Sequence, residues 1–308
     1  MTLPLSGATM QYLADLDRTQ SQMTQAQAEV SSGYRVTQPS DDPGAVKDIL
    51  QTQADLSKTK QTLSNLGAVT SEATAADSSL QSAIQAVESA ISAGAQGVTG
   101  TADATLRSNL AQQVAGLQQT IVSISRTQVN GRYIFSGDQD TQPAYQLDPT
   151  QPEGVQQLIN APATRQIMDP NGVAISVAKT AQEIFDPQDP VAGGPTAGNV
   201  FAAINNLLTA LQNNDQPGIS TALDNLHSAD DYLNQQLAFY GDVETRVNDA
   251  TSLAQKFQTQ QTTELSQLRD ADIPAEAQQL SQGQVQLQAT LSVQATMQQT
   301  KNLFSFLA

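Results

Sequence analysis

Few residues in this chain could do chemistry. His227, in LDNLHSAD, is the only histidine, and cysteine is absent. A lone imidazole with no thiol, second histidine or G-x-S-x-G turn lacks the partners of a catalytic base or a zinc site. It reads as a residue on the flank of a helix. Asp41 and Asp42 concentrate negative charge, but the alternating oxygen ligands and closing Glu of a calcium loop do not follow them. Directly ahead of Pro43, the two carboxylates read as capping groups at the positive end of a helix dipole. The glycines of VAGGPTAGNV lack the Lys-Ser/Thr of a phosphate loop and read as a linker. The expectation is therefore no catalytic residue, no cofactor and no metal.

Composition narrows the partners. Thirty acidic residues stand against fourteen basic ones, a net charge of −16. That balance disfavours nucleic acid, whose phosphates need a basic face, and anionic lipid surfaces. Aromatics make up 4% of the chain and tryptophan is missing, so large core side chains are scarce. Abundant alanine, leucine and glutamine favour helices with narrow apolar seams. The N-terminus has no basic and apolar leader, and no apolar run reaches membrane-spanning length. By composition alone the expected compartment is the cytoplasm, with no membrane insertion.

The elements that would position any site are helices. Leu5, Thr9, Tyr12, Leu16, Thr19, Met23, Ala26 and Val30 recur at alternating steps of four and three, a coiled-coil seam. Mostly Gln, Ser, Thr and Asp lie between them, so this helix needs a partner to be stable. Gly33 ends it, and SSGYRVTQPSDDPGAV then turns through Pro39 and restarts at Pro43, a good first helical residue. The next helix is expected over about 43–92, with glycines 94, 97 and 100 making a turn and Thr101 or Asp103 capping a third helix. Asn130-Gly131 reads as the end of that helix, with Arg132-Tyr133 opening a strand. Most of the prolines lie between 130 and 198, among β-type segments, and Asn171-Gly172 suits a type I′ hairpin turn. Helix resumes at NVFAAINNLLTAL and runs on over about 217–269 until Pro274 breaks it. Ala277, Leu280, Gln284, Leu287 and Leu291 form the last seam. The pattern predicts a mainly α fold: an elongated rod of long helices with a small β-rich insert. Residues 1–42 and 274–308 would form a terminal coiled coil, 43–130 and 199–273 the helical rod, and 131–198 the insert.

Two motifs carry a resemblance. SSGYRVTQPSDDPGA, together with NGRYIFSG (Asn130, Gly131, Arg132, Tyr133, Phe135 and Gly137), resembles the flagellin superfamily, in particular its hook-associated junction proteins. Ser40-Asp41-Asp42-Pro43-Gly44 stands where flagellins proper tend to carry Lys-Asp-Asp-Ala-Ala. NVFAAINNLLTAL and the closing LFSFLA are also similar to the junction proteins, whereas FYGDVETRVNDA places Gly241, Arg246 and Asn248 at altered spacing. The resemblance implies a structural protein of the bacterial flagellum, exported through the flagellar channel. That outcome overrules the cytoplasmic expectation. Copies would form a ring or layer, with the other hook-associated junction protein on the hook side and flagellin on the filament side. A cytoplasmic export chaperone would hold the C-terminal helix. The implied contacts are Leu5, Tyr12, Leu16, Met23, Val30, Leu280, Leu287 and Leu291, with Leu303, Phe304, Phe306 and Leu307 for the chaperone and tube. Gly33, Pro39, Asp41, Asp42, Pro43 and Pro274 would form the hinges. A short flagellin forming the filament itself is the nearest alternative. An enzyme on the insert is weaker, because residues 131–198 hold no histidine or cysteine, and a secreted adhesin would leave the two motifs unexplained.

Overall fold

A computed structural model describes residues 7–305 apart from Ala192, with side chains over 10–296. The chain is mainly helical: α1 (Gly7–Ser32), α2 (Pro43–Gly97), α3 (Ala104–Ile124), α4 (Ala181–Phe185), α5 (Val200–Gln212), α6 (Gln216–Arg269) and α7 (Ile273–Ser305). Six short strands lie between α3 and α4. Two compact units share these elements. One comprises Thr59–Lys256, and the other Met1–Lys58 with Phe257–Ala308. The units part inside α2 and α6, whereas the sequence breaks fall at 42–43 and 273–274.

The core of the 59–256 unit is built on two small-residue seams. On α2, Leu66, Val69, Ala73, Ala76, Leu80, Ala83, Val87 and Ala90 are buried at alternating steps of three and four. On α6 the buried series Ile219, Ala222, Leu226, Ala229, Leu233, then Tyr240, Val243 and Val247, keeps the same period. Alanine at so many of these positions lets helix axes approach closely, since interaxial distance is set by side-chain size at the contact. Gly94 and Gly97 continue the α2 seam in register instead of making a turn. A Cβ at Gly94 would lie 2.7 Å from Leu223 Cδ2, and one at Gly97 would lie 2.6 Å from Leu211 Cδ2. The helix therefore runs past Gly94 and ends at Gly97, the turn follows over 98–103, and Asp103 caps α3 by accepting from the Leu106 amide at 2.7 Å.

Arg107 closes the end of α2. It is buried, and its Nε donates to the Gly97 carbonyl at 2.8 Å while its guanidinium also reaches Asn214 Oδ1. The last carbonyls of a helix lack intrahelical donors, and a buried cation there is stabilised by the helix dipole.

Three antiparallel hairpins make the insert: β1 (Gln128–Val129) with β2 (Arg132–Tyr133), β3 (Tyr145–Leu147) with β4 (Val155–Gln157), and β5 (Gln166–Met168) with β6 (Ala174–Ser176). Both Asn-Gly pairs lie in hairpin turns, but the type I′ turn is at the first and not the second. Asn130 and Gly131, at φ 52° and 78°, form the two-residue type I′ turn between β1 and β2, α3 having already ended at Ile124. At the β5–β6 turn only Gly172 has positive φ, and its amide donates to the Asp169 carbonyl at 2.9 Å. Pro170 at the second position of that turn fixes a negative φ, so a type I turn ending in glycine results.

The scarce aromatics gather where the insert meets the bundle. Phe135 packs edge-on against Phe185 (5.8 Å between centroids) and Tyr240 (6.4 Å), while Tyr145 and Phe185 flank Phe201. The bulky run at 133–135 thus seats a fully buried Phe135 between α4 and α6. Arg132 pairs with Asp140, and the Tyr133 amide donates to the Asp140 carbonyl at 2.8 Å.

Replacing Arg107 by Ala strands the carbonyl of buried Gly97 and is expected to lower the unfolding free energy by about 1–3 kcal/mol. Arg107→Lys keeps the charge but loses the fork, and should cost less. Urea unfolding followed by circular dichroism measures both.

Candidate functional site

The terminal helices meet in the second unit. Along α1 the residues turned inward are Tyr12, Leu16, Thr19, Met23, Ala26 and Val30, with Glu29 also buried. This is the seam of the sequence pattern from Tyr12 onward; Leu5 lies outside the described residues and Thr9 outside the described side chains. α7 runs antiparallel to α1. The Tyr12 hydroxyl donates to the Thr290 carbonyl at 3.2 Å and to Gln294 Oε1 at 3.0 Å, and Met23 lies over Gly283.

The inward face of α7 is rotated from the one the sequence suggests. Glu276, Leu280, Gly283, Leu287 and Thr290 turn inward, while Ala277, Gln284 and Leu291 are exposed. Leu280 and Leu287 belong to both series. Met23 decides between them, because a Cβ at position 283 would lie 2.5 Å from Met23 Cγ. Only glycine allows that approach, and a mid-helix glycine costs about 1 kcal/mol of helix propensity relative to alanine. At the opposite end of the pair, Glu276 is pushed above the usual carboxylate range by desolvation and by the nearby Glu29.

The two inter-helix segments lock onto one another. The Arg35 and Val36 amides both donate to the Arg269 carbonyl, at 2.8 and 3.2 Å, and the Ala271 amide donates to the Gly33 carbonyl at 3.0 Å. Gly33 ends α1 in the left-handed conformation, φ 75°, with its amide on the Glu29 carbonyl. The Arg35 guanidinium donates to Asp42 at 2.9 Å and to the Leu268 carbonyl at 2.8 Å, and the Arg269 guanidinium stacks 3.9 Å from the Tyr34 ring centroid.

The adjacent aspartates do different work. Asp42 caps α2 by accepting from the Ala45 amide at 3.1 Å, and Arg35 foremost holds its carboxyl below the ordinary value. Asp41 instead closes the loop, accepting from the Thr37 amide, the Thr37 hydroxyl and the Gln38 amide, each at 2.9 Å. Pro43 is the first residue of α2 and exposed. Pro274 sits inside the first turn of α7, where Asp272 accepts from the Ala275 amide at 3.2 Å. The break precedes the proline because a missing amide hydrogen is harmless in a first turn. Val36, Ile49, Leu56 and Leu265 form a small core beside this clasp, and Pro39 lines an open apolar groove of about 370 Å³ with Tyr34, Val46 and Leu50.

The remaining sequence candidates are placed as follows. Leu303 and Phe304 lie on the backbone of α7, and Phe306 and Leu307 fall outside the described residues. Asn130, Gly131, Arg132, Tyr133, Phe135 and Gly137 belong to the first hairpin and its anchor. His227 is exposed on α6. Among the described residues no group of three or more His, Cys, Asp or Glu is arranged to hold a metal ion. No helix among them is long and apolar enough to cross a membrane.

One property of the pair has no counterpart in the sequence reading. From Ala277 to Thr300 no residue is ionisable, and the same is true of Thr19–Ala28 on α1. On the outer side of α7, Val285, Leu291 and Val293 are 65%, 51% and 53% exposed.

Paired terminal helices with an insert in the middle of the chain are matched by two family profiles. The bacterial flagellin N-terminal helical region matches residues 6–140, and the bacterial flagellin C-terminal helical region matches 223–307. The chain belongs to the flagellin family. No curated protein sequence matches it. Among solved structures, a flagellar hook-associated protein from Vibrio parahaemolyticus shares the fold at 19% identity and a TM-score of 0.64, covering 75% of this chain and 100% of that one. Hook-associated protein 3 from Legionella pneumophila is similar at 12% identity and 0.60, covering 71% and 98%. FlgL from Xanthomonas campestris follows at 13% and 0.58, covering 70% and 99%.

Placing a valine at Gly283 should separate α7 from Met23 and weaken the pair by about 1–3 kcal/mol. Amide exchange across α1 is expected to speed up roughly 5- to 100-fold, with α3 and α5 unchanged.

Proposed function

We propose that this protein is a structural subunit of the bacterial flagellum, one that forms the layer joining hook to filament. Membership in the flagellin family supports a flagellar, non-enzymatic role. The likeness to solved proteins titled hook-associated or junction proteins supports the junction over the filament body.

The observation that carries the reading is the charge-free stretch of α7 from Ala277 to Thr300, matched on α1 over Thr19–Ala28. A chain of net charge −16 repels its own copies, so identical subunits can pack closely only where no charge faces like charge. A helix surrounded by copies of itself also cannot leave ionised groups in its contacts without a desolvation cost. The run from Ala277 to Thr300 meets both conditions and offers apolar side chains besides. Side-by-side contacts of this heterologous kind propagate along a helical lattice.

On this reading the hook-side neighbour is the other hook-associated junction protein and the filament-side neighbour is flagellin. A cytoplasmic chaperone holds α7 until the chain leaves through the flagellar channel. The seam residues Tyr12, Leu16, Met23, Val30, Leu280 and Leu287 keep the pair together, and Leu291 faces the next copy. Leu5, Leu303, Phe304, Phe306 and Leu307 extend these contacts at the chain ends.

Leu291→Glu tests this directly. The site is half-exposed, so the substitution should leave the isolated chain's stability within about 0.5 kcal/mol. In cells lacking the native protein it should fail to restore motility and should release flagellin into the medium. Wild-type motility with Leu291→Glu would remove α7's outer face from the assembly contacts.

A further inference from the structure

Within the insert, one carboxylate joins separate segments. Asp186, buried at the C-terminus of α4, accepts from the Tyr145 hydroxyl at 2.7 Å, from the Asn199 side-chain amide at 2.6 Å and from the Gln188 amide. It thereby links β3, the end of α4, the following loop and the N-terminus of α5. The Gln188 amide also reaches Glu153 Oε1 at 3.1 Å, so one NH2 group holds an oxygen of each carboxyl and brings the two side by side. Two carboxyl groups this close in a half-buried site repel each other unless one carries a proton.

Glu153 belongs to the tight turn between β3 and β4. The Asp148 amide donates to the Gly154 carbonyl at 3.0 Å, and Asn205 on α5 donates to the Pro152 carbonyl at 2.8 Å. Gly154 sits against α3 and α5 so closely that a Cβ there would lie 2.7 Å from Asn205 Oδ1. The turn is pressed onto the helices, and Glu153 is its one ionisable contact with the Asp186 network.

We propose that a protonated Glu153 hydrogen-bonds the Asp186 carboxylate and acts as a latch that holds the 148–154 turn on the helices beneath it and loosens as the proton is lost. The groups facing Glu153 are the Asp186 carboxylate and the neutral amides of Gln188 and Asn199, with the Tyr145 phenol across Asp186. Burial first, and then Asp186, pushes the Glu153 carboxyl up to about 7. A carboxyl raised in this way holds, between its ordinary value and about 7, a proton that the unfolded chain has released. Its contribution to the closed turn is therefore complete only below the ordinary carboxyl value, falls steadily as pH rises from there, and is lost by about pH 7. A protonated Glu153 donates to Asp186, and an ionised one is driven from it.

Amide exchange at Gly154–Gln157 in the full-length chain, corrected for the intrinsic pH dependence of exchange, tests the latch. Protection should fall between about pH 4.5 and 7, by at most about tenfold per pH unit for one proton, and level off above that. Glu153→Gln supplies a permanent donor to Asp186 and should hold protection flat over that range. Asp186→Asn should narrow the dependence without abolishing it, because the repelling charge goes but the burial of Glu153 remains. Unchanged protection in the native chain across this range would overturn the latch. Retention of the pH dependence by Glu153→Gln would overturn it too.

Discussion

Chain entry and chain exit are tied at the clasp between residues 33–36 and 268–271, and the terminal pair depends on that tie. Neither α1 nor α7 has the composition of a helix that stands alone. Each shows a narrow seam among glutamines, serines and threonines, and isolated helices of that kind are marginal in water. The main-chain bonds from Arg35, Val36 and Ala271 bring the end of α1 beside the start of α7, antiparallel and in register. Arg35 then ties the cap of α2 to the end of α6 through Asp42 and the Leu268 carbonyl. Once residues 33 and 271 are joined, closing the remaining pair costs little further chain entropy, and Met23 can find Gly283.

The sequence was legible where side chains contrast in size and polarity. α1 alternates large apolar residues with polar ones, and its seam faces inward as the spacing predicts. α7 offers little contrast: Leu280 and Leu287 stand seven apart, but Gln, Ala, Gly and Thr fill most of the positions around them, and two faces fit equally well. The deciding residue is Gly283, whose propensity penalty signals that something must pass close to it. Gly94 and Gly97 were open to the same misreading, since a glycine inside a long helix is either a stop or a seat for a neighbour's side chain. Period separates the two, because both glycines continue the three-and-four spacing of Leu66–Ala90. The two Asn-Gly pairs show a different limit. Turn type depends on the residue before the dipeptide as much as on the dipeptide, and Pro170 excludes at one what Val129 permits at the other.

Absence of charge was the signal that seam-reading passed over. Apolar periodicity finds the face a helix shows to its own chain. The face it shows to another copy is marked here by what is missing between Ala277 and Thr300, and by three exposed aliphatic residues that the monomer leaves uncovered. In an acidic chain such a surface remains neutral under all conditions, so crowding identical subunits together adds no like-charge repulsion along it. The 59–256 unit, by contrast, has a continuous core from its helices through the aromatic cluster of the insert.

The account turns on whether α7's outer face is covered by other subunits in the assembled organelle. The chain contains no cysteine, so Leu291→Cys gives one thiol whose accessibility can be read before and after assembly. The rate of maleimide labelling at position 291 should be that of an open surface thiol in the purified chain and at least tenfold slower in intact flagella. Equal labelling rates in the two states would contradict the claim.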